Sequence, residues 1–284
     1  MKTDKNFRAL AGLAGIALAL GAQAAKAEDA SAAPAAPKEF TVTGSVAVLS
    51  DYRLRGVSQT DRGKTLQAGV TVTHKSGLYG SVFSSNLAGW GTFGGPNLEF
   101  DLIGGYAKVV GPVTIDGGLT WYMYPDGAAK TDFAEPYIKV SGAAGPVSYL
   151  AGVAYAPKQK ALGNYSATPY SHGQAWDNLY LWGDTSFVVP QTKLKLKGHL
   201  GYSKGNPGLG PNGTSVAPTG SYFDWQLGGE YPVGPFTFGV SWVDTDITAA
   251  KAAYLQPNFS VQNGRLAGKS IAGSTAVFSA SVSF

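Results

Sequence analysis

From Phe40 onward the chain alternates apolar and polar residues with a period of two. The last ten residues are the cleanest case. In Thr275-Ala276-Val277-Phe278-Ser279-Ala280-Ser281-Val282-Ser283-Phe284 every even position is apolar, and every odd position except Val277 is Ser or Thr. A period of two puts the two sets on opposite faces of a strand. The same pattern predicts strands at Phe40–Arg55, Thr65–His74, Leu78–Leu87, Leu98–Val109, Val113–Tyr124, Phe133–Ala143, Val147–Tyr155, Asn178–Val188, Lys193–Tyr202, Tyr222–Tyr231, Phe236–Asp244 and Thr275–Phe284. That makes about twelve, an even number, as in single-chain bacterial outer-membrane barrels. No helical period is evident in this region.

The connections alternate in length. Those after His74, Val109, Ala143, Val188 and Tyr231 are short. Gly56–Lys64, Ala88–Asn97, Pro125–Asp132, Ala156–Asp177, Ser203–Ser221 and Thr245–Ser274 are longer. Short periplasmic turns and long external loops are the expectation for an up-and-down barrel. Both chain ends then lie on the periplasmic side. Three short turns share one motif, Gly111-Pro112-Val113-Thr114, Gly145-Pro146-Val147-Ser148 and Gly234-Pro235-Phe236-Thr237. Gly supplies an unusual backbone angle there and Pro fixes the next one.

Parity assigns the faces. Val42, Val46, Val48, Tyr52, Leu54, Leu102, Leu119, Ile138, Leu181, Leu200, Leu227 and Val240 fall on the lipid side. Outward aromatic residues gather at strand ends. Trp121, Tyr155, Tyr202, Phe223, Trp225 and Trp242 lie toward the long loops, and Phe40, Tyr106, Phe187, Tyr231, Phe236 and Phe284 toward the short turns. Two such bands suit the headgroup levels of a bilayer.

Composition sharpens this picture. Mean hydropathy is −0.03, the near-neutral value expected when apolar and polar residues alternate in a membrane barrel. At the amino end Lys2, Lys5 and Arg8 precede an apolar run from Ala9 to Leu20, followed by Ala25-Lys26-Ala27. This reads as a secretory signal, residues 1–27, with cleavage expected after Ala27. Residues 28–39 read as a disordered periplasmic lead-in. Of the formal net charge of +4, Lys2, Lys5, Arg8 and Lys26 less Asp4 supply +3, which leaves +1 for residues 28–284. A nucleic-acid partner is therefore not expected. Cysteine is absent, so an exported chain must fold without disulfides.

The inward face carries the candidate chemistry. Lys193, Lys195, Lys197 and His199 share one side of a strand, and its neighbours supply Asp184, Asp224 and Glu230. Facing lipid, each lysine would cost about 2–4 kcal/mol at mid-depth, so the row belongs in the lumen. It reads either as a basic stripe favouring anions or as a ladder of cross-strand ion pairs. At the end of the first strand Asp51, Arg53 and Arg55 face inward. The two arginines read either as a constriction or as partners of Glu99, Asp101 or Asp116. No histidine is placed for catalysis: His74 is beside a short turn, His199 is in the lysine row and His172 is in a long loop. No catalytic residue, metal ligand or cofactor is assigned, and the chain is not expected to be an enzyme.

The stretch Ser50-Asp51-Tyr52-Arg53-Leu54-Arg55-Gly56-Val57-Ser58-Gln59-Thr60, with Leu66-Gln67-Ala68-Gly69 and Ser76-Gly77-Leu78-Tyr79-Gly80-Ser81-Val82, resembles the opening of the TorF family of porins. Leu54 stands where that family usually has Phe. The Gly145 turn and the strand from Val147 to Pro157 resemble it too. The resemblance implies an outer-membrane barrel of a Gram-negative bacterium and brings no catalytic residues.

The expected fold is all-β: a transmembrane antiparallel up-and-down barrel of about twelve strands over residues 40–284. The expected function is passage of small hydrophilic solutes, with small conductance and a mild anion preference. The alternative is a closed barrel with a structural or adhesive role, its long loops displayed outside or folded in as a plug. Expected partners are outer-membrane lipids, small solutes, and the insertion machinery that reads a last strand ending in Phe284.

Overall fold

The computed structural model describes residues 39–92, 95, 97–127, 131–163, 175–206, 220–255 and 259–284. The predicted signal, all of the lead-in but Glu39, and His172 lie outside the described residues. The strands are β1 (Phe40–Leu49), β2 (Arg53–Leu54), β3 (Val57–Ser58), β4 (Thr65–His74), β5 (Leu78–Asn86), β6 (Leu98–Val110), β7 (Val113–Met123), β8 (Phe133–Ala144), β9 (Val147–Gln159), β10 (Trp176–Val188), β11 (Lys195–Lys204), β12 (Ser221–Val233), β13 (Phe236–Thr245) and β14 (Thr275–Ser283). A short helix, α1 (Ala249–Tyr254), precedes β14.

Twelve of these strands close into one barrel. Its order is β1-β4-β5-β6-β7-β8-β9-β10-β11-β12-β13-β14, with β14 returning to β1. Every described pairing in it is antiparallel between chain neighbours, apart from the seam and the β2–β3 insertion. The Gly-Pro turns join strands with only two residues between them. Gly111, Gly145 and Gly234 sit at φ +60°, +58° and +58°. Gly first and Pro second is the pattern of a tight turn whose twist matches the flanking strands.

The predicted faces hold along the barrel strands. Leu227, Phe278, Leu200 and Trp242 are exposed on the outside. The even residues of β14 face out, and its odd Ser and Thr residues pair inward with the odd residues of β1 and β13. An exposed belt of Val, Leu and Ile with aromatic residues at both ends is the surface of a barrel made for a bilayer.

Most strand ends shift from the sequence reading by one to four residues, β9 for example running on to Gln159, and two shifts change which side chains reach the interior. The first strand stops at Leu49, not at Arg55. The next residues turn in and form the β2–β3 hairpin, so Tyr52 and Leu54, expected to face lipid, are buried inside. The lysine strand begins at Lys195, not Lys193. Helix α1 was also not expected; the Thr248 hydroxyl caps its first turn by accepting from the Lys251 N–H at 3.2 Å.

Phe284 closes the seam. Its N–H donates to the Gly44 carbonyl and its carbonyl accepts from the Gly44 N–H, both at 3.0 Å. Its ring covers Gly44 so closely that a Cβ there would overlap ring carbons. Gly44→Val should displace the ring and cost about 1 kcal/mol of barrel stability, as overpacking does. Urea unfolding of the refolded protein measures it; Gly80→Val, at a site with open space around it, is the control.

Candidate functional site

The site is the inner wall together with the hairpin that enters it. Between β1 and β4 the chain descends into the barrel mouth instead of looping outside. Arg55, Asp61 and Arg62 take positive φ values of 49°, 54° and 57°. Gly56, at φ +77°, lets the tip press against β12 and β13. A Cβ on it would overlap the Thr245 methyl and lie 2.8 Å from the Asp224 Cβ.

Three polar side chains, Arg53, Arg55 and Tyr52, anchor the hairpin. Arg53 Nε pairs with Asp51 at 2.6 Å. Its Nη1 donates to the carbonyls of Gly56 and Ile271, each at 2.8 Å, and of Gly273 at 3.1 Å. Arg55 crosses the lumen. Its Nη2 lies 2.6 Å from both Glu135 oxygens on β8, and its Nη1 donates to Asn178 Oδ1 on β10 at 2.6 Å. The guanidinium also lies over the Tyr180 ring, 4.3 Å from its centre. Burial disfavours the charge of Arg55, but Glu135 outweighs it and holds the group above its ordinary value. The Tyr52 hydroxyl donates to Glu99 on β6 at 2.7 Å. Burial first and Glu99 next push that phenol well above its ordinary value, so it stays a donor.

Apolar packing covers the hairpin. Tyr52, Leu54 and Val57 join Leu87, Trp90, Leu255, Phe259 and Ile271 in one buried cluster. The Ser58 N–H donates to the Ile271 carbonyl at 3.0 Å. Segments before β4, β6 and β14 thus fill the end of the barrel that bears the long loops.

The wall toward the short turns is polar. Lys139 on β8 pairs with Asp116 on β7 at 3.1 Å, and the Tyr79 hydroxyl donates to Asp116 at 2.8 Å. Tyr79 and Tyr137 share a hydroxyl contact. His199 bridges two acids, Nδ1 to Asp184 at 2.6 Å and Nε2 to Asp224 at 3.1 Å. Lys197 pairs with Glu230 at 2.5 Å, and Lys195 lies opposite Glu230 in register.

Several sequence expectations change here. Lys193 does not line the lumen: it precedes β11 in an exposed turn. Arg53 and Arg55 do not pair with Glu99, Asp101 or Asp116; they take Asp51 and Glu135. Glu99 and Asp101 are both 0% exposed and do not line an open passage. Asp184, Lys195, Lys197 and Glu230 face the barrel interior in the ladder arrangement, and Asp224, 2% exposed, is buried beside His199. Lys139 was missed, although Glu135, Tyr137 and Lys139 alternate inward on β8. The strut partner Asn178 was also missed, and nothing local marks it.

A closed twelve-strand antiparallel barrel with a polar inside and an inward hairpin has the architecture of a porin-like barrel. The chain belongs to the Gcw_chp family, bacterial proteins of unknown function, which it matches over residues 31–280. In structure it is similar to the KdgM porin, with a TM-score of 0.50, 8% identity, and coverage of 85% of this chain and 99% of that one. A structure from work on in-meso crystallization of membrane proteins has a TM-score of 0.50, 10% identity, and coverage of 86% and 83%. A porin refined at 1.8 Å has a TM-score of 0.42, 10% identity, and coverage of 87% and 100%. At these identities the likeness speaks to fold alone. No match was found among curated proteins.

Proposed function

We propose that this chain is a narrow porin-like channel in the outer membrane of a Gram-negative bacterium, passing small hydrophilic solutes by diffusion. The observation that carries the reading is the inner wall below the hairpin. Lys195, Lys197, His199, Gln226, Glu230 and Ser241 face the lumen and are partly accessible, the side chains of Glu230, Lys197 and His199 keeping 18%, 11% and 7% of their exposure. Polar side chains that are not fully covered leave room for water and small solutes along the wall. The Arg55 strut and its apolar cover narrow the opposite end, so conductance is small. The likeness of Ser50–Thr60 to TorF porins supports the same reading.

A second reading, a closed barrel acting through its external loops, draws on the continuous apolar packing of Tyr52, Leu54 and Val57 with Phe259 and Ile271. Planar-bilayer recording separates the two. Small, reproducible steps in molar salt are expected for the channel; insertion without steps supports the closed barrel.

Selectivity is expected to be weak because bases and acids alternate along the wall. Lys195→Gln with Lys197→Gln removes two of the cations that face Asp184, Asp224 and Glu230. Reversal potentials in a salt gradient should then shift toward cations, most at low ionic strength, where screening is weakest. An unchanged ratio with lower thermal stability would make the lysines structural only.

A further inference from the structure

The inner wall has two unlike halves. The inward residues of β13, β14, β1 and β4 carry no charge and are mostly Ser, Thr, Gly and Ala. The inward charges lie on β6 to β12. Within that half, β10 presents Trp182, Asp184 and Ser186 at successive inward positions toward the short turns, about 7 Å apart along the strand. Trp182 lies opposite Gly152 on β9, and a Cβ on that glycine would run into the indole ring. Glycine thus leaves room for the indole to lie across the neighbouring strand. Tyr180, the preceding inward residue of β10, stacks against Trp182 with ring centres 5.6 Å apart. Arg55 already covers the Tyr180 ring. Trp182, just below that strut, stays partly accessible.

The polar atoms beside it are only partly used. His199 Nδ1 holds Asp184 Oδ1 at 2.6 Å, yet the Asp184 side chain remains 34% exposed, against 18% for Glu230. Ser186 lies opposite Ser148 on β9, and both are partly accessible. Asp184 Oδ2, the Trp182 indole N–H and the two serine hydroxyls take no partner among the described residues. The nearby charges stand beside opposite ones, His199 with Asp184 and Asp224 and Lys197 with Glu230, so the patch singles out no ion. An accessible indole next to a free carboxylate oxygen and free hydroxyls fits a neutral ring with an apolar face and a hydroxylated rim. The C–H bonds of such a ring meet the negative face of the indole. Its hydroxyls donate to Asp184 in charge-assisted bonds. We propose that Trp182 and Asp184, with Ser186 and Ser148, form a binding site for a neutral pyranose sugar on the lumen wall. The inference rests on the channel reading, because it names the sugar as the solute that passes along β10 toward the short turns.

Saturation-transfer NMR on the refolded full barrel tests this, in a zwitterionic detergent that has no sugar headgroup. Methyl β-glucoside is the probe, and sorbitol, which has the hydroxyls but no ring, is the control. Saturable transfer to the glucoside is expected, strongest at the C–H bonds of one ring face, with little transfer to sorbitol. Trp182→Leu should abolish it. Asp184→Asn, which leaves His199 its bond to Asp224, should weaken binding about tenfold, the loss of one charge-assisted hydrogen bond. If the leucine variant does not fold, Trp182→Phe keeps a ring without the N–H and should retain weakened transfer to the same ring face. Wild-type protein with no saturable transfer, or with equal transfer to sorbitol, overturns the site. So does undiminished binding in folded Asp184→Asn. Planar-bilayer steps without glucoside binding remove the site and leave the channel standing; binding without steps does the reverse.

Discussion

Arg55→Met should destabilise the barrel by about 3–5 kcal/mol, because it leaves Glu135 buried without its cation. Glu135 is 2% exposed, and its remaining hydrogen-bonded neighbour is the Tyr122 hydroxyl at 3.3 Å. Asn178 loses its donor as well. Replacing both partners, Arg55→Met with Glu135→Met, removes the stranded charge and should recover most of the loss, since apolar substitutes for a buried pair are often neutral. Urea unfolding in detergent, followed by tryptophan fluorescence, measures both. Equal losses in the single and double variants would mean that the strut acts through packing over Tyr180 rather than through charge. Under the channel reading, Arg55→Met also frees the hairpin and raises single-channel conductance. The stability result stands whether or not current flows.

Gly56→Val should be nearly as damaging, by a different route. The backbone there is at φ +77°, where an L residue is strained by about 1–2 kcal/mol. The new side chain would also collide with Thr245 and Asp224, and overpacking adds about 1–3 kcal/mol. The tip must then leave its seat between β12 and β13. The Tyr222 hydroxyl would lose its bond to the Arg55 carbonyl, now 3.1 Å. Protease nicking within residues 50–63 should rise sharply while the rest of the barrel stays resistant. Unchanged protection of the hairpin would show that the tip tolerates a side chain.

Much of this protein is legible without a structure because a barrel strand is a local object. Val42, Val46 and Val48 need only the pleat to reach one face. Leu194, Leu196 and Leu200 opposite Lys195, Lys197 and His199 declare which side is wet. Gly111, Gly145 and Gly234 mark turns because glycine takes positive φ at no steric cost. Strand number, face assignment and the end bearing the long loops follow from such signals.

The candidate site is different. Tyr52 and Leu54 continue the parity of Val48, so nothing in the alternation tells that the chain leaves the wall after Leu49. The departure is decided by what waits inside: Glu135 and Asn178 for Arg55, the carbonyls of Ile271 and Gly273 for Arg53, Glu99 for Tyr52. These partners are remote in sequence and meet only when the sheet closes. For the same reason Arg55 skips the acids of neighbouring strands and takes one from across the lumen. The sequence by itself determined a twelve-strand membrane barrel with its faces and turns, because a period of two is written residue by residue. Only the tertiary structure decided which charges meet and how far the mouth is filled, because closure sets distances that no local pattern encodes.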